Sequence, residues 1–180
     1  MSDFVVSLRK LGACSEAVEW AKGYPTLQAA WDACERADWM LWLVARVDGE
    51  IRPVTRLAMC ACARTALRYV PAGEDQPLRA IETGERFARG EATAEEMADA
   101  RADAGAVMAD DWATVAAYWA TVAAESTGDA GAAWVAAGAA WVARNAALAG
   151  VCARCAAHRE MAAIVREHIP VAPKVEGSDE

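Results

Sequence analysis

The sequence predicts an all-α protein, a single-domain bundle of about seven helices with a long alanine-rich C-terminal helical hairpin. Three observations carry that expectation. Apolar residues recur at spacings of three and four almost throughout, and no stretch alternates in the manner of a half-buried strand. Glycine, proline and aspartate punctuate the chain at intervals of helical length. At 180 residues the chain suits one well-buried core better than two small ones.

The elements follow in order. A short helix over about 2–11 leads to SEAVEWA, which stops at the turn signal KGYPT. Thr26 has the side chain of an N-cap for LQAAWDACERADWMLWLVARV, a stretch in which a break near Glu35 or Arg36 is allowed and which Asp48-Gly49 ends. Pro53, tolerated in a first helical turn, opens VTRLAMCACARTALRYV, which halts at Pro71-Ala72-Gly73. Pro77 opens LRAIETGERFAR, with Gly90 as its stop. Thr93 and Glu96 have the spacing of a capping box at the head of a helix running to about Ser126.

Thr127-Gly128-Asp129 then turns the chain into a last helical stretch over about 130–168, with Gly150 as a bending point. Trp112 and Trp119 are seven residues apart, as are Trp134 and Trp141, so each pair shares a face. Alanines around them permit close helix approach, and an antiparallel hairpin with indoles as spacers is expected. The domain spans 1–169, and the prolines and charges of 170–180 predict a disordered tail.

Hydrophobic residues make up 56% of the chain, yet no charge-free run reaches the roughly 18–20 residues a bilayer span needs. The amino terminus lacks the pattern of a signal peptide, so a cytoplasmic location with reduced thiols is expected. The net charge of −8 opposes nucleic-acid binding, which needs a cationic footprint, and favours basic partners.

Cys60, Cys62, Cys152, Cys155 and His158 supply enough atoms for a zinc site on paper. On a helix, however, residues two apart point about 200° away from each other, so Cys60 and Cys62 are expected to be small core residues instead. No cofactor follows from the sequence, and no nucleophile elbow, phosphate loop or metalloprotease motif suggests an enzyme. Glu82, Glu85, Arg79, Arg86 and Arg89 have the spacings of ordinary ion pairs along one helix.

The cluster ERADWMLWLVAR is the one candidate site. Trp39 and Trp42 lie three apart on one helical face, flanked by Asp38 and Arg46, and could stack a base or grip a partner. The competing reading is plain core, with Asp38 or Glu35 paired to an arginine such as Arg64. The candidate ligand- or partner-binding residues are therefore Asp38, Trp39, Trp42, Arg46 and Arg64.

The ordered landmarks GACSEAVEWA, AAWDACERADWMLWL, CACARTAL, RAIETGERFARGEAT and, after a long alanine-rich stretch, IVREHI resemble a family of immunity proteins found in bacterial polymorphic-toxin systems and in phage genomes. The resemblance covers about residues 8–169, and its first half is the specific part. It implies an all-helical, non-enzymatic protein that binds and neutralises a toxin or effector protein, expected to be basic. Two other functions compete: sequestration of a small anionic nucleotide signal by a phage-encoded protein, and a structural module that forms homo-oligomers through its alanine-rich helices.

Overall fold

The computed structural model describes residues 2–48, 51–70, 72–73, 75–106 and 151–176. Among them the chain is a bundle of α-helices: α1 (Asp3–Lys10), α2 (Ser15–Ala21), α3 (Leu27–Ala33), α4 (Ala37–Asp48), α5 (Pro53–Arg64) with a 3-10 extension (Thr65–Tyr69), α6 (Gln76–Ala88), α7 (Ala94–Ala106) and α8 (Val151–His168). The expected tryptophan hairpin lies outside the described residues.

The helix starts follow from local chemistry. Thr26 Oγ1 accepts a hydrogen bond from the Ala29 amide at 3.1 Å, and Pro53 occupies the first turn of α5. Thr93 and Glu96 form the reciprocal box: the Glu96 amide donates to Thr93 Oγ1 at 3.1 Å, and the Thr93 amide donates to Glu96 Oε2 at 2.8 Å. Gly90, with φ of 76°, turns the chain out of α6 in a conformation that costs other residues a steric penalty.

Helix α5 lies between α6 and α8, while α7 packs on α6 and α8 also packs on α4. The two thiols of CACARTAL show how the middle helix is used. Cys60 joins Ala63, Ala80 and Ile81 in the small core against α6. Cys62 belongs to the main core and its Sγ lies 3.7 Å from the Met161 carbonyl oxygen of α8. Residues two apart on a helix face opposite neighbours, which is why these cysteines serve two interfaces and not one ion. Burial pushes both thiols up to about 12, so neither supplies thiolate at neutral pH. Gly84 lets α6 approach closely: a Cβ there would stand 3.1 Å from Cys60 Sγ.

The main core collects Phe4, Val5 and Leu8 from α1, Leu27 and Trp31 from α3, Met40, Leu41 and Val44 from α4, and Met161, Ala162 and Val165 from α8. One buried group does not fit this apolar setting. Thr55 in the first turn of α5 is fully buried, and its Oγ1 has no hydrogen-bond partner among the described residues. Valine has the same shape without the hydroxyl. Thr55→Val is therefore expected to raise the unfolding free energy by about 1 kcal/mol. Urea denaturation checks this, and a loss of stability would mean that the hydroxyl is satisfied in solution.

The break allowed near Glu35 or Arg36 is present: the chain leaves helical geometry over Cys34–Arg36, where Cys34 has an extended ψ of 124°. The structure differs from the sequence reading at two places. The ion pairs expected along α6 run elsewhere: Glu85 pairs with Arg64 of α5, and Arg86 with Glu96 of α7. The tail expected to be disordered from residue 170 instead lies along α1 and α3 as far as 176. Gln28 Nε2 donates to the Pro170 carbonyl, the Ala172 amide donates to Gln28 Oε1, and Ser7 Oγ donates to the Glu176 carbonyl. Ala172 and Val175 pack on the core. These two apolar residues, Ala172 between the prolines and Val175 beyond them, fasten the segment despite the charges around them. Among the described residues no helix is long and apolar enough to cross a membrane.

Candidate functional site

The break between α3 and α4 builds the site. The Arg36 amide donates to Cys34 Sγ at 3.4 Å, and the Arg36 carbonyl accepts from the Trp39 and Met40 amides as α4 begins. Arg36 thus stands just ahead of the helix, free of the helical geometry that would separate it from Asp38. Its side chain folds back over the first turn, where Nε donates to Asp38 Oδ1 at 2.9 Å and Nη2 donates to Oδ2 at 2.7 Å. The two parallel bonds match a guanidinium fork to a carboxylate. That contact is the main reason the guanidinium holds its proton even more firmly than a free arginine. A carboxylate in the first turn also suits the positive end of the α4 dipole.

The same guanidinium lies 4.4 Å from the centroid of the Trp39 ring, within cation–π range. Trp20 of α2 stands against Trp39 at a centroid distance of 5.8 Å and an angle of 57°, and Tyr24 packs on Trp20 at 4.6 Å. Trp42, one turn along α4 from Trp39, continues this aromatic surface.

These groups line a groove of about 350 Å³ between α2, α3 and α4. Trp20, Trp39 and Trp42 are half-buried in its walls, buried Trp31 also lines it, and Cys14, Glu16, Arg36 and Asp38 supply its polar atoms. Glu16 Oε1 lies 3.6 Å from Arg36 Nη1, so two carboxylates oppose one guanidinium. Behind the groove, buried His158 of α8 brings Nδ1 to 3.6 Å from Asp38 Oδ1. Cys34, also in the lining, has its thiol pushed up to about 11 by burial, which removes it as a nucleophile at neutral pH.

Of the five residues singled out in the sequence, the groove brings together Asp38, Trp39 and Trp42. Arg46 is turned away: its Nε donates to the Leu11 carbonyl at 3.0 Å, joining α4 to the end of α1. Arg64 is on the α6 side of α5, bonded through Nε and Nη2 to the Glu85 carboxylate at 2.6 and 2.9 Å. The expected partner of Asp38 is therefore corrected from Arg64 to Arg36. The sequence reading also passed over Trp20, Trp31, Glu16 and Arg36. The signal for Arg36 was present in the break at Glu35 or Arg36, since only a broken helix lets residues two apart meet.

Among the described residues no group of three or more His, Cys, Asp or Glu side chains is placed to hold a metal. What the arrangement offers chemically is recognition: flat apolar walls, a fixed ion pair and an extra carboxylate at the rim. No protein-family model, curated protein or solved structure matches this chain.

Proposed function

We propose that the protein is a non-enzymatic, immunity-type binding protein whose groove and acidic surface engage a basic toxin or effector protein. The observation that carries this reading is the placement of three half-buried indoles beside two carboxylates that share a single guanidinium. Half-buried tryptophans in a concave surface are the anchors on which partner binding concentrates. The charge of −8 would speed the encounter with a basic partner. The resemblance of the landmarks in the first half of the chain to immunity proteins supports the same reading.

Sequestration of an anionic nucleotide is less well supported. The three arginines nearest the aromatic cluster in the sequence reading or the groove are committed: Arg36 to Asp38, Arg46 to the Leu11 carbonyl and Arg64 to Glu85. The test is coexpression with each product encoded beside the protein's own gene, followed by native mass spectrometry. A stoichiometric complex that forms more slowly as salt rises, and that relieves growth arrest by the partner, is the expected result. Failure of every flanking product to form a complex would remove the proposal.

A further inference from the structure

The groove carries information about the group it receives. Arg36 and Asp38 neutralise each other, and the charge left at the rim belongs to Glu16. The Glu16 side chain is 73% exposed and reaches Arg36 only at 3.6 Å, so it can turn to another cation with little loss. Arg36 itself displays a mode of recognition that suits this surface: a cation over an indole, closed at its edge by a carboxylate. Trp20, Trp42, Ala17 and Leu43 add apolar wall to the same groove.

We infer that the groove receives an aliphatic chain ending in a cation, the side chain of a lysine or arginine presented by the protein partner. Its methylenes lie against Trp20 and Trp42, and its head group meets Glu16. A purely apolar occupant would leave the exposed Glu16 carboxylate at the rim in water and draw nothing from its charge. A phosphate would meet that carboxylate with like charge. A long basic side chain satisfies both parts, because such side chains lay their stems on apolar surface and keep the charge at its edge. This inference rests on the groove being the contact surface, as proposed above, but not on the partner being a toxin.

Three six-carbon probes separate the possibilities: n-hexylammonium, n-hexanol and n-hexanoate, titrated into the full chain labelled with 15N. Indole Nε1–H signals report binding, and Trp20→Phe and Trp42→Phe identify two of the groove's own signals. The ammonium is expected to bind about fivefold more tightly than the alcohol, the scale of one exposed ion pair with a cation–π contribution. Hexanoate is expected to bind more weakly than either. Glu16→Gln, on an exposed side chain, should bring the ammonium and the alcohol to within about twofold, as an exposed pair of that strength requires.

Equal binding of all three probes, a preference for hexanoate, unchanged selectivity in Glu16→Gln, shifts confined to other indoles, or no binding would each overturn the inference. The two proposals can fail separately. Selective ammonium binding without any complex from the flanking genes leaves the groove chemistry standing and removes the immunity reading. The opposite pair of results removes only the cation.

Discussion

Replacing Trp31 with alanine is expected to lower the unfolding free energy by about 4 kcal/mol, the scale of a buried indole deletion with a lost hydrogen bond. Trp31 is only 3% exposed and joins three parts of the molecule. Its ring belongs to the main core and its face contributes to the groove. Its Nε1 donates to the Ile169 carbonyl at 3.0 Å, at the point where α8 gives way to the segment over 170–176. Phenylalanine separates these contributions, since it keeps an aromatic ring but removes the donor. Trp31→Phe is expected to cost about 1–2 kcal/mol, most of it from an unpaired buried carbonyl and a smaller ring. Urea denaturation measures both losses, and hydrogen exchange at the Ala172 amide, bonded to Gln28, should quicken in both variants. A domain of this size is stabilised by about 5–15 kcal/mol, so the alanine variant should denature at clearly lower urea. A loss below about 1 kcal/mol in Trp31→Ala would show that the core closes over the missing ring.

The same residue illustrates what could be read in advance. Trp31 sits in a helical run with an N-cap at Thr26, so its helix was legible from local chemistry. Its bond to Ile169 was not, because it spans 138 residues and nothing in the sequence near either end announces it. The same division holds across the fold. Caps and prolines are properties of a few adjacent residues, and Thr26, Pro53, Thr93 and Glu96 behave as their spacing requires. The opposite orientations of Cys60 and Cys62 follow from helical geometry alone, though not which helices receive them.

The candidate site was legible in its aromatic half and misread in its electrostatic half. Trp39 and Trp42 share a face because α4 is continuous through both. Asp38 or Glu35 was expected to pair with an arginine such as Arg64, although the break allowed near Glu35 or Arg36 is what brings Arg36 within reach. Once the chain leaves helical geometry at Cys34, the nearest guanidinium reaches the carboxylate in a bidentate contact that loses little chain entropy to form. Arg46 and Arg64 have the composition of ligand-binding residues but are committed to fastening helices together. A charged residue beside an aromatic cluster therefore identifies a site only when its own bonding has been accounted for. In this groove the residue left to bargain with is Glu16.

The second large effect is expected at Arg166. Helix α3 ends at Ala33, where the Cys34 amide closes back on the Trp31 carbonyl at 3.2 Å and the Cys34 carbonyl lies beyond the helical ladder. Arg166 of α8 fastens this end: Nη1 donates to the Cys34 carbonyl at 2.6 Å and, more weakly, to the Trp31 carbonyl at 3.4 Å. The positive charge also sits at the negative end of α3, where it is favoured. Methionine keeps much of the arginine stem and removes the charge and the donors. Arg166→Met should therefore cost about 2 kcal/mol, from the Cys34 carbonyl left without its donor and the lost charge at a helix end. Both contacts are made by one nitrogen, so an ammonium can replace part of the interaction, and Arg166→Lys should cost about 1 kcal/mol. Urea denaturation of the two variants distinguishes charge from packing: equal losses would mean that the stem, and not the guanidinium, fastens α8. The break that Arg166 secures is also the one that lets Arg36 reach Asp38, so Arg166→Met should weaken probe binding as well as stability. Unchanged hexylammonium affinity in a folded Arg166→Met protein would show that the groove is held by α2 and α4 without help from α8.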